Sequence, residues 1–129
     1  MKEMEYSKEI SCIILDKGIK DVFYWFILNR GAHPCAYVGV SKDHPFFNKE
    51  YDSCNIDVHG GLTFADSDFL FNPIMIEDIW WLGWDYAHAG DHYHYESKSI
   101  PLDTGKKWTT EEIKQEVFDV IKQLTKVKK

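Results

Sequence analysis

A chain of 129 residues, 44% hydrophobic and 28% charged, is the size of one globular domain spanning 1–129 and can build a core without disulfide or metal staples. The net charge of −6 is uneven: residues 106–129 hold seven Lys against four Asp or Glu, which leaves the first 105 residues at −9. An acidic body with no Lys/Arg cluster argues against duplex nucleic acid as a partner, and Cys12, Cys35 and Cys54, odd in number and without a CxxC pair, fit a reduced chain.

Met1–Glu9 is acidic where a signal peptide is basic and then apolar, and the longest apolar stretch, Val22–Leu28, is too short to span a bilayer. The expectation is a soluble cytoplasmic protein that does not use the membrane.

In chain order, Ile10–Leu15 and Val22–Leu28 are rich in branched and aromatic residues and are separated by Asp16-Lys17-Gly18, which predicts a β-hairpin turning there. Cys35–Val40 predicts a third strand and Ser41–Asn55 a loop. Ile56–Phe64 predicts one strand bent at Gly60-Gly61, because paired glycines within a strand pattern mark a bulge or a close backbone approach. Asn72-Pro73 marks a turn, and Ile79–Tyr86 predicts a buried strand. Thr109 with Glu112 forms a capping box ahead of Ile113, Val117, Val120, Ile121 and Leu124 at helical spacing, so a helix is expected over 110–126. The fold class is α+β: a mainly antiparallel sheet of about five or six strands with a C-terminal amphipathic helix packed on one face.

Two segments carry the chemistry. In Ile56–Phe64, strand alternation puts Asp57 and His59 on one face, with Gly60 and Gly61 leaving backbone N–H groups open to a ligand oxygen. In Trp80–Asp91, Asp85, His88 and Asp91 follow a tryptophan-rich strand, where loops commonly place functional groups. The expectation is one pocket in which Asp57, Gly60, Gly61 and Asp91 contact a ligand and Trp81 or Trp84 forms the wall. His59, His88 and Asp85 are its candidate catalytic groups. The same five acidic and imidazole side chains (Asp57, His59, Asp85, His88 and Asp91) are the ligand set for a divalent metal such as Zn, Mn or Fe if the site holds one. Structural use of these residues is the competing reading, and for the tryptophans core packing is the default.

The stretches His33-Pro34-Cys35-Ala36-Tyr37-Val38-Gly39-Val40, His44-Pro45-Phe46-Phe47, Asp57–Phe64 and Trp80–Asp91 resemble a family of small uncharacterised phage and prophage proteins across about residues 33–91. The resemblance implies a phage-encoded accessory role in the host cytoplasm, counteracting host defence or adjusting host metabolism, and the aromatic wall beside Asp and His suits a small, nucleotide-like ligand as the partner. Two other classes stand beside it: a hydrolase using a metal or a His/Asp general base, and an acidic inhibitor that binds a host protein through its surface. Oligomeric state is left open.

Overall fold

The computed structural model describes residues 13–29, 33–69, 72–74, 76–86 and 108–128. Among these residues five strands, β1 (Ile13–Lys20), β2 (Phe23–Asn29), β3 (Pro34–Ser41), β4 (Phe64–Asp66) and β5 (Ile79–Asp85), precede one long helix, α1 (Thr110–Thr125). They form a single sheet of order β1-β2-β3-β5-β4 in which every neighbouring pair is antiparallel. The α+β class and the C-terminal helix follow the sequence expectation. No helix among the described residues is long and apolar enough to cross a membrane.

The interior strand β2, with the sequence FYWFILN, is apolar on both faces, as a strand covered on both sides must be. Trp25 and Ile27 point to one side with Ala36, Val38, Leu82 and Trp84, and there Ile113, Val117, Val120, Ile121 and Leu124 of α1 close the core. These five helix positions recur at helical spacing and are essentially inaccessible to water, each contributing about 1.5–3 kcal/mol of burial. On the opposite face Phe26, Leu28, Cys35, Tyr37 and Trp81 form a second core closed by Phe69.

Local chemistry sets the helix ends. Thr109 Oγ1 accepts the Glu112 N–H at 3.1 Å, and the Glu112 carboxylate accepts the Thr109 N–H at 3.1 Å, which is the predicted capping box. At the other end His44 Nδ1 accepts the Phe46 N–H at 3.0 Å, so its Nε2 carries the proton and donates to the Leu124 carbonyl at 2.9 Å.

Two strand expectations are corrected. The hairpin turns at Asp21-Val22, both with positive φ (51° and 65°), the geometry of a type I′ turn whose twist matches the flanking strands. Asp16-Lys17-Gly18 lies within β1, just after a bulge at Leu15, because pairing Gly18 with Trp25 and Ile19 with Tyr24 lets β2 bury both its faces. Residues 56–63 form no strand: Gly61 N–H donates to the Val58 carbonyl at 2.8 Å, and Gly60 and Gly61 have φ of 72° and 79°. Those angles close a turn, so the chain joins the sheet only at its end, where Thr63 N–H donates to the Gly83 carbonyl at 2.9 Å and Phe64–Asp66 forms the edge strand.

Candidate functional site

β5 sorts its side chains by simple alternation. Trp80, Leu82, Trp84 and Tyr86 face the helix, while Trp81 and Asp85 face the other side. The ladder sets Asp85 opposite Cys35 and Gly83 opposite both Tyr37 of β3 and Phe64 of β4. A Cβ on Gly83 would lie 2.7 Å from Tyr37 Cδ1, so glycine there is what lets the Tyr37 ring lie down over the strand. That ring stacks on Phe69 (centroids 4.0 Å apart, 9° between planes) and meets Phe64 edge-on at 5.5 Å.

The result is a cleft of about 470 Å³ at the end of the sheet. His33, Cys35 and Tyr37 border it from β3 and the residue before it, Thr63 and Phe64 from β4 and its approach, and Trp84 and Asp85 from β5. Asp85, His33 and Phe64 are half-buried, and Cys35 Sγ sits 3.8 Å from the Tyr37 hydroxyl. No Lys or Arg is among these residues. A carboxylate, an imidazole, a thiol and a phenol therefore edge one apolar-walled hollow, able to accept and donate hydrogen bonds to a planar polar ligand.

Asp57 and His59 lie on the helix side of the sheet. The Asp57 side chain is exposed, and its backbone is held by Gln123 of α1: Asp57 N–H donates to Gln123 Oε1 at 2.8 Å, and Gln123 Nε2 donates to the Asp57 carbonyl at 2.7 Å. The His59 ring stacks on Tyr86 at 5.2 Å and 5°, with Trp108 4.8 Å away. Trp84 Nε1–H donates to the Tyr86 hydroxyl at 2.8 Å, which in turn donates to Glu116 at 2.6 Å. Trp84 thus borders the cleft at the strand while its indole is turned to the helix side. Trp81 is 1% exposed and packs against Phe26 and Phe69, in the second core.

The convergence expected from the sequence is corrected accordingly. Asp57 and His59 share the helix side, but Asp85 is separated from them by the sheet, because residues 56–63 form a turn clamped to α1 rather than a strand extending toward β5. Gly60 and Gly61 shape that turn. His88 and Asp91 lie outside the described residues. Among the described residues no three His, Cys, Asp or Glu side chains group as a metal-binding set. Asp85 and Trp84 therefore belong to a different set from the one expected, joined by His33, Tyr37 and Phe64. Alternation on β3 already put Cys35 and Tyr37 on one face. What the residue pattern lacked was the cross-strand register that brings that face beside Asp85.

Cys54, the other described thiol, is buried under the 3-10 turn at Tyr51–Ser53 and donates to the Glu50 carbonyl at 3.4 Å. Burial pushes its pKa up to about 11, with the Lys49 charge offsetting part of the effect, so it is an inert thiol at neutral pH.

Fold and cleft together define an α+β domain with a small-molecule-sized hollow on the sheet face opposite its helix. Comparison with family models, curated proteins and solved structures gave no match.

Proposed function

We propose that this chain is an accessory protein of phage type that binds a small ligand through a nucleobase-like ring in the cleft at Asp85. The observation that carries the reading is the placement of the half-buried Asp85 carboxylate beside His33 and the rings of Tyr37 and Phe64. A carboxylate accepts the ring and amino N–H donors of a base edge, and the neighbouring phenyl face supplies apolar contact. Mounting these groups on adjacent strands holds them in place before the ligand arrives. The cleft volume of about 470 Å³ suits a small molecule.

Among the described residues that line the cleft there is no Lys or Arg, and the body around it is acidic, which favours the base as the recognised part over a phosphate. The phage context rests on the resemblance over residues 33–91, and all the cleft residues, from His33 to Asp85, fall inside that segment. Holding a nucleotide-like signal would serve a protein that counters host defence.

Titration calorimetry against nucleobases, nucleosides and their phosphates tests this. A nucleoside is expected to bind at least as well as its phosphate, and Asp85→Asn to weaken it about tenfold or more. Absence of binding across the panel, or binding indifferent to Asp85→Asn, rejects the reading. Turnover of a panel compound would move the assignment to the hydrolase class.

A further inference from the structure

We propose that the outer edge of β1 receives a second copy of this chain, joining two five-stranded sheets in antiparallel register across a twofold axis at Gly18. β1 ends the sheet, and its one ladder among the described residues is with β2. It presents apolar side chains that an edge strand in water usually hides: Ile13 is 61% exposed, Ile14 41% and Ile19 64%, and Val22 in the adjoining turn is 84% exposed. An unpaired edge that exposes apolar side chains is a template for strand addition, and here Asp16, Lys17 and Lys20 lie among them and set the register.

The charge pattern identifies the added strand as another β1. A twofold axis places residue i opposite j and j opposite i, and side chains opposed across a ladder share a face of the sheet. Since successive residues alternate faces, the axis must pass through a residue and not between two. The bulge at Leu15 confines regular pairing to Asp16–Lys20. An axis through Asp16, Lys17 or Lys20 sets like charge against like. One through Ile19 carries Asp16 and Lys17 past the end of the opposing strand, leaving three paired residues.

An axis through Gly18 opposes all five residues. It sets Asp16 opposite Lys20 of the second copy, twice, with no side chain at the axis itself. Both charges already lie on the helix side where they would meet: Asp16 is 3.5 Å from Lys114 Nζ, and Lys20 Nζ is 5.1 Å from the Phe118 ring centre. The same register brings the exposed Ile14 and Leu15 beside Val22 of the second copy.

Analytical ultracentrifugation of the full chain over the micromolar to millimolar range tests this, with circular dichroism confirming that each variant folds. The expected result is a monomer–dimer equilibrium weakened about tenfold by Asp16→Lys and likewise by Lys20→Asp. The double exchange Asp16→Lys/Lys20→Asp is expected to restore it. Should Asp16→Lys not fold, Lys20→Asp alone carries the comparison. A monomer at every concentration, which leaves the edge to a strand of some other protein, overturns the proposal. So does a dimer that ignores the single reversals or is not restored by the exchange.

Discussion

The Gln123 side-chain amide grips both backbone polar groups of Asp57, accepting its N–H at 2.8 Å and donating to its carbonyl at 2.7 Å. An amide side chain here does what a neighbouring strand would do, so a segment outside the sheet still has its backbone satisfied. Gln123→Ala is expected to cost about 1–2 kcal/mol. Asp57→Ala, which removes only an exposed carboxylate, is expected to stay within about 0.5 kcal/mol of wild type. Urea unfolding of both variants checks the pair, and a larger loss for Asp57→Ala would contradict this account.

Tyr86 links the sheet to the helix through one hydroxyl, which takes the Trp84 indole N–H and gives its own proton to Glu116. Tyr86→Phe strands the buried indole N–H, at an expected cost of about 1–3 kcal/mol. Chemical denaturation measures it. Glu116→Gln keeps an acceptor for the hydroxyl and is expected to cost less.

Gly83 connects backbone to ligand site. In Gly83→Ala the new methyl would stand 2.7 Å from Tyr37, so the ring must leave its place between Phe64 and Phe69. The expected cost is about 1–3 kcal/mol of stability, together with weaker nucleoside binding. Unfolding and calorimetry read the two effects separately, and unchanged affinity would remove Tyr37 from the binding surface.

Val22 holds φ of 65° in the hairpin turn, a conformation in which a β-branched residue is strained. Val22→Gly is expected to stabilise the monomer by about 0.5–1 kcal/mol, the relief of strain exceeding the entropy that glycine adds to the unfolded chain. Thermal unfolding at low protein concentration tests it, and a fall in melting temperature would count against the turn geometry.

Cys54 imposes a pH dependence. Folded, it keeps its proton to about 11, whereas in the unfolded chain it ionises near its ordinary 9.0. Between those values the unfolded state binds fewer protons than the folded one, so stability falls as pH rises. The contribution is complete below about pH 9 and is lost toward pH 11. The stability advantage of wild type over Cys54→Ala is therefore expected to be constant below pH 9 and to shrink above it. A constant difference up to pH 11 would show that the thiol is not desolvated.

The elements written in short-range chemistry were legible in the residues. The helix, expected over 110–126, runs Thr110–Thr125 with the anticipated capping box and buried stripe, since both signals act within a few residues. Cys35–Val40 lies within β3, and Ile79–Tyr86 covers β5 and the residue that follows it. The hairpin turn was not legible: Asp16-Lys17-Gly18 has the better turn chemistry, yet the chain turns at Asp21-Val22, because register is chosen by burial of Trp25 and Ile27 under α1 and of Phe26 and Leu28 beneath the opposite face.

The sequence by itself therefore determined the α+β class and the C-terminal helix, and it offered polar and aromatic candidates for a site without placing them. Only the tertiary structure decided which of them meet. The Val58–Gly61 turn and the Gln123 clamp hold Asp57 and His59 on the helix side, while antiparallel pairing of β3 with β5 brings Cys35 and Tyr37 beside Asp85 on the other. Periodicity and caps are local, but cross-strand register depends on covering both faces of the sheet at once, and no short window of residues contains that condition.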